Sequence, residues 1–365
     1  MVLAARLLLG ILGTFVCVAT ALPFIRTDEW WVRIFDFPRL QIFVIGGSVL
    51  LLYLLLIRSI ARWEAVLATG LATALVIQTL QIYPYTPLAP VQTHAAHQAR
   101  PESTFSIMVA NVMQSNYQVT ILQEMISRHD PDLVLLTEID AWWDAHLQPL
   151  TSTYPFTCRY PLGNTYGMSL YSRLPLSNPQ VRFVTEAEIP SIYTRVRLRN
   201  RTVIHFYGVH PRPPGLKPPE TEKRHDSAQR DAELVLIGRE SARQSGPVVV
   251  AGDFNDVAWS HTTRLFQRIS HLLDPRIGRG FFSTFHADIP LLRYPLDHLF
   301  HSDDFTFISM ERLPSFGSDH FPIAVKLHLN QQAPAKQEPP ERKPSDLEES
   351  REAVDEYQEK KREEK

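Results

Sequence analysis

Six apolar runs in the middle of this 365-residue chain each end in a side chain able to bind a hard cation or a phosphate. FSIMVANV (105–112) delivers Asn111, and DLVLLTEID (132–140) delivers Glu138. VIHFYGVHPRPP (203–214) ends its apolar part at His210, and PVVVAGDFND (247–256) breaks into Asp253 and Asn255. RYPLDHLF (293–300) offers Asp297, while FGSDHFPIAVKL (316–327) offers Asp319 and His320 ahead of a last run. Taken singly, each group has an ordinary explanation as a turn residue or helix cap. Its recurrence at run after run is what caps explain badly. The set holds carboxylate, amide and imidazole but no thiol, which suits Mg²⁺, Mn²⁺ or Ca²⁺ rather than structural Zn²⁺. Breaking a phosphate ester requires a positioned water, charge stabilisation at the phosphoryl oxygens and help for the leaving oxygen. This donor set contains a candidate for each.

The elements that position these groups are legible. Val-rich runs bounded by Gly and Pro read as buried strands, and VTILQEMISRHDPD (119–132) has helical spacing. From 105 to 329 strands and helices alternate, which predicts an α/β domain with its polar groups at strand ends, where sites usually lie. Phe254, between Asp253 and Asn255, is expected to alternate away from the site and pack inward.

The first hundred residues differ. LLLGILGTFVCVATAL (7–22), QIFVIGGSVLLLYLLLI (41–57) and AVLATGLATALVIQTLQI (65–82) carry no charge, and each is about long enough to span a bilayer as a helix. Ala19-Thr20-Ala21 resembles a signal-peptide cleavage site. Retention of three spans is the simpler reading because two more follow. The reading is thus a membrane region over 1–84, a linker over 85–104, a catalytic domain over 105–330 and a tail over 331–365. Arg6, Arg58 and Arg62, with no Lys or Arg from 83 to 99, favour a catalytic domain on the non-cytoplasmic side of a bacterial inner membrane. Arg26, Arg33 and Arg39 in the first loop weigh against it, diluted by Asp28, Glu29 and Asp36. The tail, with 8 basic and 11 acidic residues and scarcely an apolar one, predicts disorder or a solvated helix. Cys17 lies in an apolar run and Cys158 stands alone beyond it, so no disulfide forms within the domain.

The order NV, LLTE, YGVH, GDFN, LDH and GSDHFP resembles the endonuclease/exonuclease/phosphatase superfamily, across residues 105–329. That superfamily includes deoxyribonuclease I, exonuclease III, neutral sphingomyelinases and inositol polyphosphate 5-phosphatases. The resemblance implies a four-layered α/β sandwich, two packed β-sheets flanked by helices. It also implies roles. Glu138 matches the principal metal-binding carboxylate, with Asn111 and Asp319 in the metal and phosphate network. Asp253 matches the residue that orients or deprotonates the water, and Asn255 a donor to phosphate. His320 matches the histidine at the scissile phosphate, Asp297 its orienting carboxylate, and His210 a second histidine. Mg²⁺ is the expected ion, with Mn²⁺ or Ca²⁺ as alternatives. A dinuclear metallophosphoesterase is the rival. Asp144-Ala145-His146 and Gly252-Asp253-Phe254-Asn255-Asp256 match its first two motifs, but they lie more than a hundred residues apart and no Gly-Asn-His follows.

The leading functional expectation is a membrane-anchored phosphodiesterase acting on nucleic acid, with a lipid or small-molecule phosphate ester as the alternative substrate. A non-catalytic binding module is the third reading, and it has no need for Asp297, His320 and Glu138 together. With 37 basic against 39 acidic residues, no overall field points to nucleic acid. The segment 211–230 carries Arg212, Lys217, Lys223, Arg224 and Arg230, and reads equally as a groove lining or a solvated Pro-rich excursion.

Overall fold

The structure, a computed structural model, describes residues 2–56, 61–215 and 226–363. Three apolar helices come first: α1 (Val2–Ala21), α3 (Arg39–Leu56) and α4 (Arg62–Ile82), with the short α2 (Trp30–Arg33) between the first two. They pack through Leu9, Val16, Ile42, Val49, Leu71 and Ala74. Their other faces leave Ile11, Val44, Leu54, Val66 and Leu80 more than half exposed. Among the described residues, α1 and α4 are long and apolar enough to cross a membrane. A third span results if α2 and α3, bent 71° to one another, count as one. Arg58, part of the orientation argument, lies outside the described residues.

The remaining chain builds two mixed sheets packed face to face, the expected α/β sandwich. The six-stranded sheet runs in the order β10–β11–β1–β2–β4–β3. It comprises β1 (Thr104–Asn111), β2 (Leu133–Thr137), β3 (Phe156–Tyr160), β4 (Met168–Ser172), β10 (Phe305–Arg312) and β11 (Ile323–Leu329). The five-stranded sheet follows the order β5 to β9. Its members are β5 (Leu176–Arg182), β6 (Ser191–Arg197), β7 (Val203–Val209), β8 (Val248–Asp253) and β9 (Asp297–His301). Alternation along the strands sends Ile107, Val109, Leu135, Ile204, Phe206 and Val249 into the core between the sheets. The outer face of the first sheet is covered by α5 (Val119–His129) and α6 (Ala141–His146). The second is covered by α7 (Ala228–Ser241) and α8 (His261–Ser270). Each sheet holds one parallel pair, β1 with β2 and β7 with β8. The carboxyl ends of these two pairs meet at one edge of the sandwich, and the site lies there.

Two compositional expectations need correction. The tail is not free: α9 (Asp346–Glu363) docks on α7 and α8. Val354 and Tyr357 recur at helical spacing and are buried, Arg239 donates to Ser350 Oγ at 2.7 Å, and Arg268 clamps Asp346 at 2.8 Å. Two apolar residues on one helical face suffice when charged neighbours are paired rather than solvated. Segment 85–104 is packed as well. The Tyr85 hydroxyl donates to the Ala258 carbonyl at 2.7 Å, and Ala96 N–H donates to the Phe307 carbonyl at 2.8 Å.

Candidate active site

All six residues of β8 (Val248–Asp253) are buried, and the strand lies between β7 on one side and β9 on the other. Gly252 (φ 145°) permits the approach to β7, since a Cβ there would stand 2.0 Å from the Val209 carbonyl oxygen. Register then places Asp253 directly opposite Asp297, the first residue of β9. Two buried carboxylates facing one another repel. The conflict is resolved by His320, whose Nδ1–H donates to Asp297 Oδ2 at 2.7 Å and whose Nε2 lies 3.6 Å from Asp253 Oδ2. Burial alone would lower this imidazole's pKa, but Asp297 and Asp253 carry it up to about 10. The motif therefore holds an imidazolium between two carboxylates.

Asn111 ends β1 and joins the two sheets. Its amide donates to Glu138 Oε1 at 2.9 Å and to Asp253 Oδ2 at 3.1 Å. Glu138 follows β2 in the left-handed region (φ 63°), where a non-glycine residue is uncommon and costs on the order of 1–2 kcal/mol. The Asn111 amide and the Gln114 N–H, which donates to Oε2 at 3.1 Å, hold it there. Burial raises the pKa of Glu138 and likewise that of Asp253. Asn255 also has positive φ (50°), and its amide donates to the Pro211 carbonyl at 2.9 Å. His210, just past β7, stands 3.8 Å from Asp253 Oδ2 through Nε2, with a buried Nδ1 that finds no partner among the described residues. Burial lowers its pKa, so it is neutral where His320 is charged. Phe254 turns away from the site and packs on Phe266 and Phe300.

Seven of the eight residues singled out from sequence (Asn111, Glu138, His210, Asp253, Asn255, Asp319 and His320) line one cavity of about 570 Å³. Asp297 stands behind His320, where it can act only through the ring. Sequence reasoning missed the supports. Ser318 Oγ donates to the Asn111 carbonyl at 2.8 Å and accepts from His320 N–H at 3.0 Å, coupling the GSDH loop to β1. Thr284 Oγ1 accepts the Asp297 N–H at 3.1 Å. Ser318 sits inside a quoted motif and was findable; nothing around Thr284 signals its role. Sequence reasoning also missed the outer wall, which Trp30, Ile34, Phe37 and Pro38 supply from the segment between α1 and α3. Of the basic residues in 211–230, Arg212 pairs with Glu186, and Arg230 is buried against Asp231 and the Asn255 carbonyl. Lys217, Lys223 and Arg224 lie outside the described residues.

The donor set fits a hard divalent cation. Glu138, Asp253 and Asp319 converge on one cavity, and His320 is the one cationic group among the eight. A second group of ligand-type atoms, from Asp253, Asp297 and His320, lies within 4.8 Å of one another. A cation there would have to displace the imidazolium that already neutralises both carboxylates, so Glu138, Asn111 and Asp319 form the better cradle.

Among solved structures, the chain is similar to zebrafish (D. rerio) TDP2 complexed with single-strand DNA product. The identity is 16%, covering 62% of this chain and 99% of that one, with a TM-score of 0.50. An endonuclease/exonuclease/phosphatase from Bacteroides vulgatus aligns at 16% identity, 62% and 99% coverage and TM-score 0.49. Sphingomyelinase C from Streptomyces griseocarneus aligns at 15%, 62% and 99%, with 0.45. At such identities the likeness is one of fold. No curated protein matches the chain. Residues 108–320, more than half of the chain, match the model of the Endonuclease/Exonuclease/phosphatase family, and the chain belongs to that family of metal-dependent phosphoesterase hydrolases.

Proposed function

We propose that this protein is a membrane-anchored phosphodiesterase whose catalytic domain lies on the non-cytoplasmic side and whose cation is Mg²⁺. The observation that carries the chemistry is the charged His320 held between Asp297 and Asp253 on the same cavity as Glu138. The apolar outer faces of α1, α3 and α4 support the anchoring.

Glu138, with Asn111 and Asp319, would hold the cation, which when bound supplies charge stabilisation at the phosphoryl oxygens. Asp253 orients a water through Oδ2, and its burial-raised pKa makes it the stronger base. His320 brings a fixed positive charge to the phosphoryl oxygens, and Asp297 keeps its ring in place. The neutral His210 and the amide of Asn255 supply further hydrogen-bonding groups beside the phosphate. The water oxygen bonds to phosphorus and the bond to the leaving oxygen breaks. One water proton ends on the leaving alcohol and the other on the phosphate monoester.

For nucleic acid, binding rests on a basic groove or a stacking platform. Among the described residues the cavity lining holds one arginine, Arg33, which is already tied to Asp36 and Thr262. Among the described residues, the apolar side chains of Ile34, Phe37, Leu292 and Leu296 on the lining favour an ester with an apolar group. The test is hydrolysis of bis-p-nitrophenyl phosphate, DNA, RNA and phospholipid by the purified full chain, with Mg²⁺ and with chelator. Turnover that survives both the chelator and His320→Ala would refute the proposal.

A further inference from the structure

The cavity wall contributed by the segment between α1 and α3 is built rather than merely adjacent. Trp259 Nε1–H donates to the Asp36 carbonyl at 2.7 Å, and Arg33 donates to Thr262 Oγ1 at 3.0 Å. Asp36 takes Arg39 at 2.7 Å and Arg33 at 3.4 Å. Phe37 sets its ring edge-on against Tyr294, centroids 5.6 Å apart. Asp28, Arg33, Asp36 and Arg39 are all buried, which is costly for charged residues unless their positions are fixed. On the far side, α9 secures the segment through Lys360 on Asp28 and Glu349 on Arg26 (3.0 Å).

The result is a cavity with two chemistries. One end carries Glu138, Asp253, Asp319 and the histidines. The other is apolar, formed by Ile34, Phe37, Leu292, Tyr294 and Leu296, with Phe285 between the two, its ring centroid 5.0 Å from that of His320. Ile34 and Phe37 of this wall belong to the segment that joins α1 to α3. Gln41, in the first turn of α3, donates from Nε2 to the Leu291 carbonyl at 2.7 Å, which fixes loop 289–292 at the point where α3 begins. That loop exposes Ile289 (42%), Leu291 (78%) and Leu292 (46%), and Trp31 (51%) and Ile34 (47%) are exposed on the facing segment. Exposed apolar side chains on both lips, level with the start of an apolar helix, mark a membrane-interface position.

We infer that the substrate is a lipid phosphate ester, its phosphate at the His320 end and its hydrocarbon chain along the Ile34–Phe37 wall, entering from the bilayer between that segment and loop 289–292. Ile34 and Phe37 are then specificity-determining residues of the catalytic pocket, although they lie in the membrane region of the sequence. The inference rests on the phosphodiesterase reading above and adds its substrate class.

The experiment uses the full chain in detergent and a series of p-nitrophenyl alkyl phosphodiesters, ethyl to octyl, below their micelle concentrations. The alkyl chain is the only variable, so the apolar wall is read apart from the chemistry. Wild-type kcat/KM should rise at least about tenfold along the series, a modest share of what full burial of the added methylenes would give. Ile34→Ser and Phe37→Ser should flatten the rise. A flat wild-type series with good turnover of the ethyl ester overturns the lipid inference and leaves the phosphodiesterase reading standing. A rise that both variants retain overturns the assignment of the wall. No turnover of any ester with Mg²⁺ or Mn²⁺ overturns the phosphodiesterase reading itself. An oligonucleotide hydrolysed with a higher kcat/KM than the octyl ester overturns the substrate class.

Discussion

Asp297→Asn keeps the side-chain shape and removes the charge that faces the His320 imidazole at 2.7 Å. Burial works against the imidazolium, yet Asp297 and Asp253 together carry its pKa from the ordinary 6.5 up to about 10. A rise of that size is worth about 5 kcal/mol of preference for the charged form. The hydrogen-bonded carboxylate outweighs the one 3.6 Å away, so the substitution should remove about 3 kcal/mol. A pKa raised by folding gives stability that is complete below the unfolded value and fades as pH rises through the folded one. The stability gap between wild type and variant should therefore be widest near about pH 6 and close towards about pH 10. Denaturant unfolding of the full chain in detergent measures it, with chelator present so that no cation competes with the imidazolium. Ring-carbon NMR of the histidines in the same samples should show His320 titrating about two pH units lower in the variant. A gap that stays constant across the range would refute the ion-pair argument, because a purely steric cost has no such pH dependence.

Glu138→Gln should leave the fold intact and lower Mn²⁺ affinity by at least about tenfold, read by calorimetry, because a hard cation loses an anionic ligand. Gly252→Ala should cost at least about 3 kcal/mol or prevent folding, because the new Cβ meets the Val209 carbonyl at 2.0 Å. Gly163→Ala, whose Cβ meets nothing within 4 Å, is the matched control in the same thermal melts. Val354→Asp should undock α9, and limited proteolysis should then cut within 331–345 at protease levels that spare the wild type.

The strand ends that carry the site were readable because buried strands leave a strong apolar signature and the polar residue that ends each one stands out against it. LLTE and GDFN announced Glu138 and Asp253 in this way, and the structure puts both on one cavity. The pairing of Asp297 with His320 was readable only through the family motif, since nothing in LDH or GSDH encodes which strands become neighbours. Register across β8 and β9 supplies only the Asp253–Asp297 pair; His320 arrives on the loop before β11, which Ser318 ties to the end of β1. The wall of Ile34 and Phe37 was not readable, because aromatic residues between two apolar runs have an adequate explanation as interfacial anchors. The tail was misread for a different reason. Composition averages over a helix, whereas docking of α9 needs only Val354 and Tyr357 on one face and partners for the charges around them.

The clasp between α9 and the segment bearing Asp28 sets an order of events during biosynthesis. Glu349 and Lys360 are translated after every residue that lines the cavity, and domains take shape progressively from the amino-terminal side as the ribosome advances. Until those two residues emerge, Arg26 and Asp28 lack their partners on α9 and the far side of the cavity wall is unfastened. The pocket is thus finished after the sandwich that supports it, and a nascent chain does not present a completed site until α9 has emerged and docked.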